Sequence, residues 1–62
     1  MRNRLSLFKR GDLVIFHRFD GQDYTAHVEQ RVTRGVIKIL YLVKGQPVTA
    51  YVSDPSRIVG GQ

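Results

Sequence analysis

Apolar and polar residues alternate with period two through most of the chain, and no stretch holds the 3.6-residue period of an amphipathic helix. The run Leu13-Val14-Ile15-Phe16-His17-Arg18-Phe19 is dense in β-branched and aromatic residues and too short for a good helix. It predicts a first strand. Asp20-Gly21-Gln22-Asp23 predicts a four-residue hairpin loop. From Tyr24 to Arg31 the pattern places Tyr24, Ala26 and Val28 on one face and Thr25, His27 and Glu29 on the other. That is a half-buried strand. A turn at Thr33-Arg34-Gly35 leads to a third strand over 36–43, with Ile37, Ile39 and Tyr41 on one side and Lys38, Leu40 and Leu42 on the other. Lys44-Gly45-Gln46-Pro47 turns again, and Val48 to Val52 alternates as a fourth strand. Ser53-Asp54-Pro55-Ser56 has the chemistry of a tight helical turn. Arg57-Ile58-Val59 predicts a short closing strand, and Gly60-Gly61-Gln62 a flexible tail.

Four meandering strands, one helical turn and a short fifth strand make the layout of an SH3-like small barrel. The fold class expected is therefore all-β: a basic N-terminal arm over 1–7, a five-stranded barrel over 8–59 and a tail over 60–62. Val14, Phe16, Ala26, Val28, Ile37, Ile39, Val52 and Ile58 are its expected core. A chain of 62 residues is one domain and buries only about 60% of the surface its unfolded form exposes. With no cysteine, apolar packing must supply the stability. Yet the same alternation leaves Leu13, Ile15, Leu40 and Leu42 pointing outward. Such a stripe predicts a protein contact, a symmetric homodimer or a docked partner. The alternative is that Leu5, Leu7 and Phe8 of the arm fold back over it; both stay open.

Charge changes the picture more than composition does. Ten Lys and Arg against five Asp and Glu give +5, which favours an anionic partner. Arg2, Arg4, Lys9 and Arg10 form the arm, Arg18 lies on the first strand, and Arg31, Arg34 and Lys38 cluster around one turn. Lys44 and Arg57 complete the set. Interleaved with Phe19, Tyr24 and Tyr41, these cations suit a surface that tracks phosphates and stacks bases. Without a recognition helix, single strands, RNA or backbone shape are better targets than a duplex sequence.

Other classes are disfavoured. No segment approaches the ~20 apolar residues of a membrane span, and the basic opening lacks an export core, so a cytoplasmic location is expected. His17 and His27 are the only imidazoles, too few to build a metal site with the ligands nearby. There is no nucleophile–base pair with motif support and no phosphate-cradling glycine loop. No enzyme activity, metal or cofactor is expected.

Several segments carry a family likeness: Phe8-Lys9-Arg10-Gly11-Asp12, Asp20-Gly21 with Tyr24-Thr25-Ala26-His27-Val28, Tyr41 with Gly45-Gln46, and Val52-Ser53-Asp54. Through them the chain resembles the Tudor family of SH3-like barrels over roughly residues 8–59. That resemblance implies an aromatic cage for a methylated cation, built here from Phe19 or His17 with Tyr24 and Tyr41. Lys44 stands where the family has a further aromatic, and Gln46 where it has Asn, so the implied cage is incomplete. The expectation is a small nucleic-acid-binding barrel, accessory or regulatory in gene expression or genome handling. Its alternative is a Tudor-like module that docks a peptide through Leu40/Leu42 and Tyr24/Tyr41.

Overall fold

The computed structural model describes residues 8–33 and 35–60. Arg2, Arg4, Leu5, Leu7, Arg34 and most of the expected tail lie outside them. Five strands follow one another: β1 Leu13–His17, β2 Asp23–Thr33, β3 Val36–Val43, β4 Gln46–Val52 and β5 Ile58–Gly60, with a 3₁₀ turn at Pro55–Arg57 ahead of β5. β1 stops at His17, two residues short of the expected end. There the Arg18 N–H donates to the Gln22 carbonyl, and the Gly21 N–H donates back to the Arg18 carbonyl. Gly21, at φ 83°, makes that closure possible.

β4 starts earlier than the apolar pattern suggests. Lys44 and Gly45 take φ of 52° and 81°, the doubly left-handed geometry of a two-residue hairpin turn. Gln46 and Pro47 consequently join the ladder opposite Val43 and Leu42. Pro47 is tolerated because β4 is an edge strand, where a missing N–H can face solvent. At the other edge, Gly60 pairs with Val14 and so belongs to β5 rather than to a tail. A Cβ on Gly60 would lie 3.2 Å from Phe8 Cε1, so the glycine makes room for that ring against the core.

All pairings are antiparallel, in the order β4-β3-β2-β1-β5. This corrects the expected barrel. Among the described residues no ladder joins β4 to β5, so the sheet is open. Closure fails because β5 has only three residues, all paired to β1, and it is reached through a 3₁₀ turn rather than a hairpin. The sheet still curls strongly, since Phe16 of β1 and Val52 of β4 line one cleft. Register breaks in β2 at Val28/Gln30 and Arg31/Thr33 are bulges, which deepen the twist. The concave side is the core: the eight expected residues are buried there, and Tyr41 joins them.

A candidate nucleic-acid interface

The β1–β2 loop gathers aromatic rings around a cation of the chain itself. The Arg18 guanidinium stands 4.8 Å from the centroid of Phe19, 5.8 Å from Tyr24 and 5.9 Å from Tyr41. Tyr41 is only 5% exposed, and its centroid is 5.2 Å from both Phe16 and Tyr24. Arg18 Nη1 donates to Asp20 Oδ2 at 2.9 Å, and the Tyr24 hydroxyl donates to the same oxygen at 3.4 Å. The Gln22 N–H contributes most to holding the Asp20 carboxyl below its usual range, aided by Arg18 and opposed by partial desolvation. The residues expected to form an open aromatic groove thus stand around a partly buried guanidinium of the chain itself. Arg18 is spent on the fold, and Tyr41 presents little free face.

The remaining described cations lie elsewhere. Beyond Val28 every residue of β2 from Glu29 to Thr33 is exposed, on both faces of the strand. Paired with the start of β3, this segment forms a ribbon whose β2 side is exposed and carries Arg31, while on its β3 side Ile37 stays in the core and Lys38 is half-buried. Lys9 and Arg10 are exposed in the turn ahead of β1. That turn is fastened at the root of the ribbon, where the Gly11 N–H donates to the Val28 carbonyl and the Val28 N–H to the Asp12 carbonyl. Lys9 and Arg10 are thereby held near the point where β2 becomes exposed. Lys44 stands apart in the β3–β4 turn. Four of the five acids are engaged locally: Asp12 with the Lys9 N–H, Asp20 with Arg18, Asp23 with His17 at 2.7 Å, and Asp54 with Ser56.

The convex side of the sheet carries the outward apolar residues. Leu13, His27, Leu40 and Thr49 form one row across four strands, and Val59, Ile15 and Thr25 start a second. Leu13, Leu42 and Val59 are exposed, while Ile15 and Leu40 are half-buried. Tyr24, Thr25, His27, Leu40, Tyr41 and Leu42 border an open hollow of about 460 Å³ there. The two histidines never meet, since His17 pairs with Asp23 and His27 lies between Leu13 and Leu40. Among the described residues no group of three or more His, Cys, Asp or Glu gathers to hold a metal. No described helix is long and apolar enough to cross a membrane.

Sequence reasoning missed one locality, where the β1–β2 loop faces the exit from β4. Phe19, Tyr51, Asp54 and Arg57 share an open cleft of about 240 Å³ above the buried Phe16 and Val52. Only the curl of the sheet brings positions 19 and 51 together. A usable signal was nonetheless present: Tyr51 falls on the outward phase of β4, opposite Lys38, as an exposed aromatic with no core to join. Compared with protein-family models, curated proteins and solved structures, the chain matches none.

Proposed function

We propose that the protein is a small non-enzymatic nucleic-acid-binding module with the SH3-like order of elements, and that it holds its ligand by charge and backbone shape. The observation that carries this reading is the β2–β3 ribbon. Past Val28 the β2 strand runs on for five exposed residues that include Arg31, beside β3 with its half-buried Lys38, and Lys9 and Arg10 are exposed in the turn bonded to Val28. Exposed cations of this kind can contact phosphates. The Tudor-like alternative, a cage for a methylated cation, is less well supported, because Arg18 already occupies the space between the three rings. Fluorescence anisotropy of labelled (dT)12 against salt tests the proposal. Affinity should fall steeply with salt, and Arg31→Ala should reduce the magnitude of the log–log slope by about 0.7 on a single strand. Absence of binding to (dT)12, a 12-bp duplex and U12 below about 100 μM at moderate salt, the weak end of non-specific affinity, would overturn it.

A second reading is favoured by the convex apolar rows. There the protein docks a partner or a second copy through Leu13, Leu40 and Leu42. It predicts a shallow salt response and a loss of association on Leu42→Ala, readable by sedimentation.

A further inference from the structure

The cleft between the β1–β2 loop and the exit from β4 combines features that the fold does not require. Its floor, Phe16 and Val52, is buried, but its rims are Phe19, 80% exposed, and Tyr51, 64% exposed. Two rings of this size left in water on one cleft bury almost nothing for the core. Phe19 is steadied from the loop side by the Arg18 guanidinium at 4.8 Å, so it is pre-positioned rather than free. Asp54 caps the 3₁₀ turn through Oδ1 only, accepting from the Ser56 N–H at 3.0 Å and the Ser56 hydroxyl at 2.8 Å. Its Oδ2 stays available as an acceptor. Arg57 Nη1 donates to the His17 carbonyl at 3.2 Å, which ties a guanidinium to the cleft wall.

We propose that this cleft is a base-stacking subsite that receives one unpaired nucleobase of a single-stranded nucleic acid. The base stacks on Phe19 and Tyr51, one of its N–H groups donates to Asp54 Oδ2, and Arg57 faces the adjoining phosphate. Aromatic platforms next to a cation are how single strands are held without a sequence code. The net charge of +5 and the guanidinium in the cleft favour a polyanion that carries flat rings over a proline-rich peptide, which would also fit an aromatic-lined groove. This inference rests on the nucleic-acid reading above and deepens it: the ribbon supplies phosphate contacts, and the cleft adds a contact to a base.

The test titrates ¹⁵N-labelled protein with (dT)12, with an abasic deoxyribose-phosphate 12-mer and with a proline-rich dodecapeptide. It is repeated with Phe19→Ala, Tyr51→Ala and the double variant, each checked for folding by circular dichroism. The expected result is that (dT)12 moves the amides of Phe19, Tyr51, Ser53, Asp54, Ser56 and Arg57 while the abasic strand moves only those of the ribbon. The double variant should weaken (dT)12 binding by about 5- to 150-fold, the scale of stacking one base, and leave abasic binding and the salt slope unchanged. Equal binding of (dT)12 and the abasic strand, unaffected by the double variant, would overturn the subsite and leave the nucleic-acid reading standing. Failure of both strands to bind would overturn the two together. Shifts at the cleft from the peptide, with none from (dT)12, would reassign it to peptide docking.

Discussion

The β1–β2 loop contributes to two places where arginine meets aromatic rings, and they have opposite fates. On one side Arg18 stands over Phe19, Tyr24 and Tyr41 and is bonded to Asp20. On the other, Phe19 and Tyr51 border an open cleft with Arg57. The residue types are nearly the same. What differs is enclosure: Tyr41 lies on the concave phase of β3 and is sealed beneath Phe16 and Tyr24, whereas Tyr51 lies on the outward phase of β4. Partnership differs too, since Arg18 donates to the Asp20 carboxylate, whereas Arg57 donates to the His17 carbonyl and meets Asp54 through charge alone. An aromatic–cation cluster whose cation is hydrogen-bonded to its own acid is part of the fold; one whose cation is not so bonded is open to a ligand.

The largest test of that contrast is thermodynamic. Tyr41→Ala should cost about 3–5 kcal/mol, as large aromatic truncations in cores do. That is a large share of a small domain's stability, and urea denaturation would read it. Tyr51→Ala should stay within about 0.5 kcal/mol of the parent, as exposed substitutions do. Similar losses at the two sites would break the distinction. A smaller test exchanges the readouts. Arg18→Lys keeps the charge but loses the planar fork that serves Asp20 and the rings. It should lower Tm and leave the salt slope of (dT)12 binding unchanged. Arg31→Ala should reduce the magnitude of that slope.

These two places were not equally legible in the sequence. Period-two alternation in β2 and β3 is strong because one face of each must be dry, so the core could be named residue by residue. Strand ends were harder, since they depend on backbone dihedrals. The left-handed Lys44 moved the start of β4, and the Arg18–Gln22 hydrogen bonds moved the end of β1. Ring closure was not legible at all, because it turns on whether a three-residue β5 can reach β4. Among site residues, Phe19, Tyr24 and Tyr41 were grouped with one another in the sequence, whereas the place of Arg18 among them comes from the structure. Composition cannot say, however, whether a cation beside rings is their guest or a free contact. The Phe19–Tyr51 pairing lay beyond reach, because it joins positions far apart in the chain through curvature alone.

The finest separation of the two places is in their carboxylates. Asp20 belongs to the closed cluster, where the Gln22 N–H chiefly, and Arg18 with it, depress its pKa. Asp54 belongs to the cleft, where the Ser56 hydroxyl and then the Ser56 N–H depress it. A carboxyl with a folded pKa below its unfolded value of about 3.9 binds fewer protons in the native state than in the unfolded state at acid pH. Its stabilisation is therefore complete above the unfolded value and is lost as pH falls through the folded one. With respect to both groups, the urea midpoint should be flat from pH 7 to about 5 and decline below about 4. Carboxyl ¹³C titration can then assign the decline to each site. Ser56→Ala removes the hydroxyl but keeps the N–H, so Asp54 should move part of the way back toward its ordinary value while Asp20 holds still. Arg18→Lys should relax Asp20 slightly, because the larger backbone contribution remains, and leave Asp54 where it was. Movement of both carboxyls in either variant would mean that cluster and cleft are one coupled network. The Phe19 ring would then be the element they share, and binding a base at the cleft should raise the pKa of Asp20.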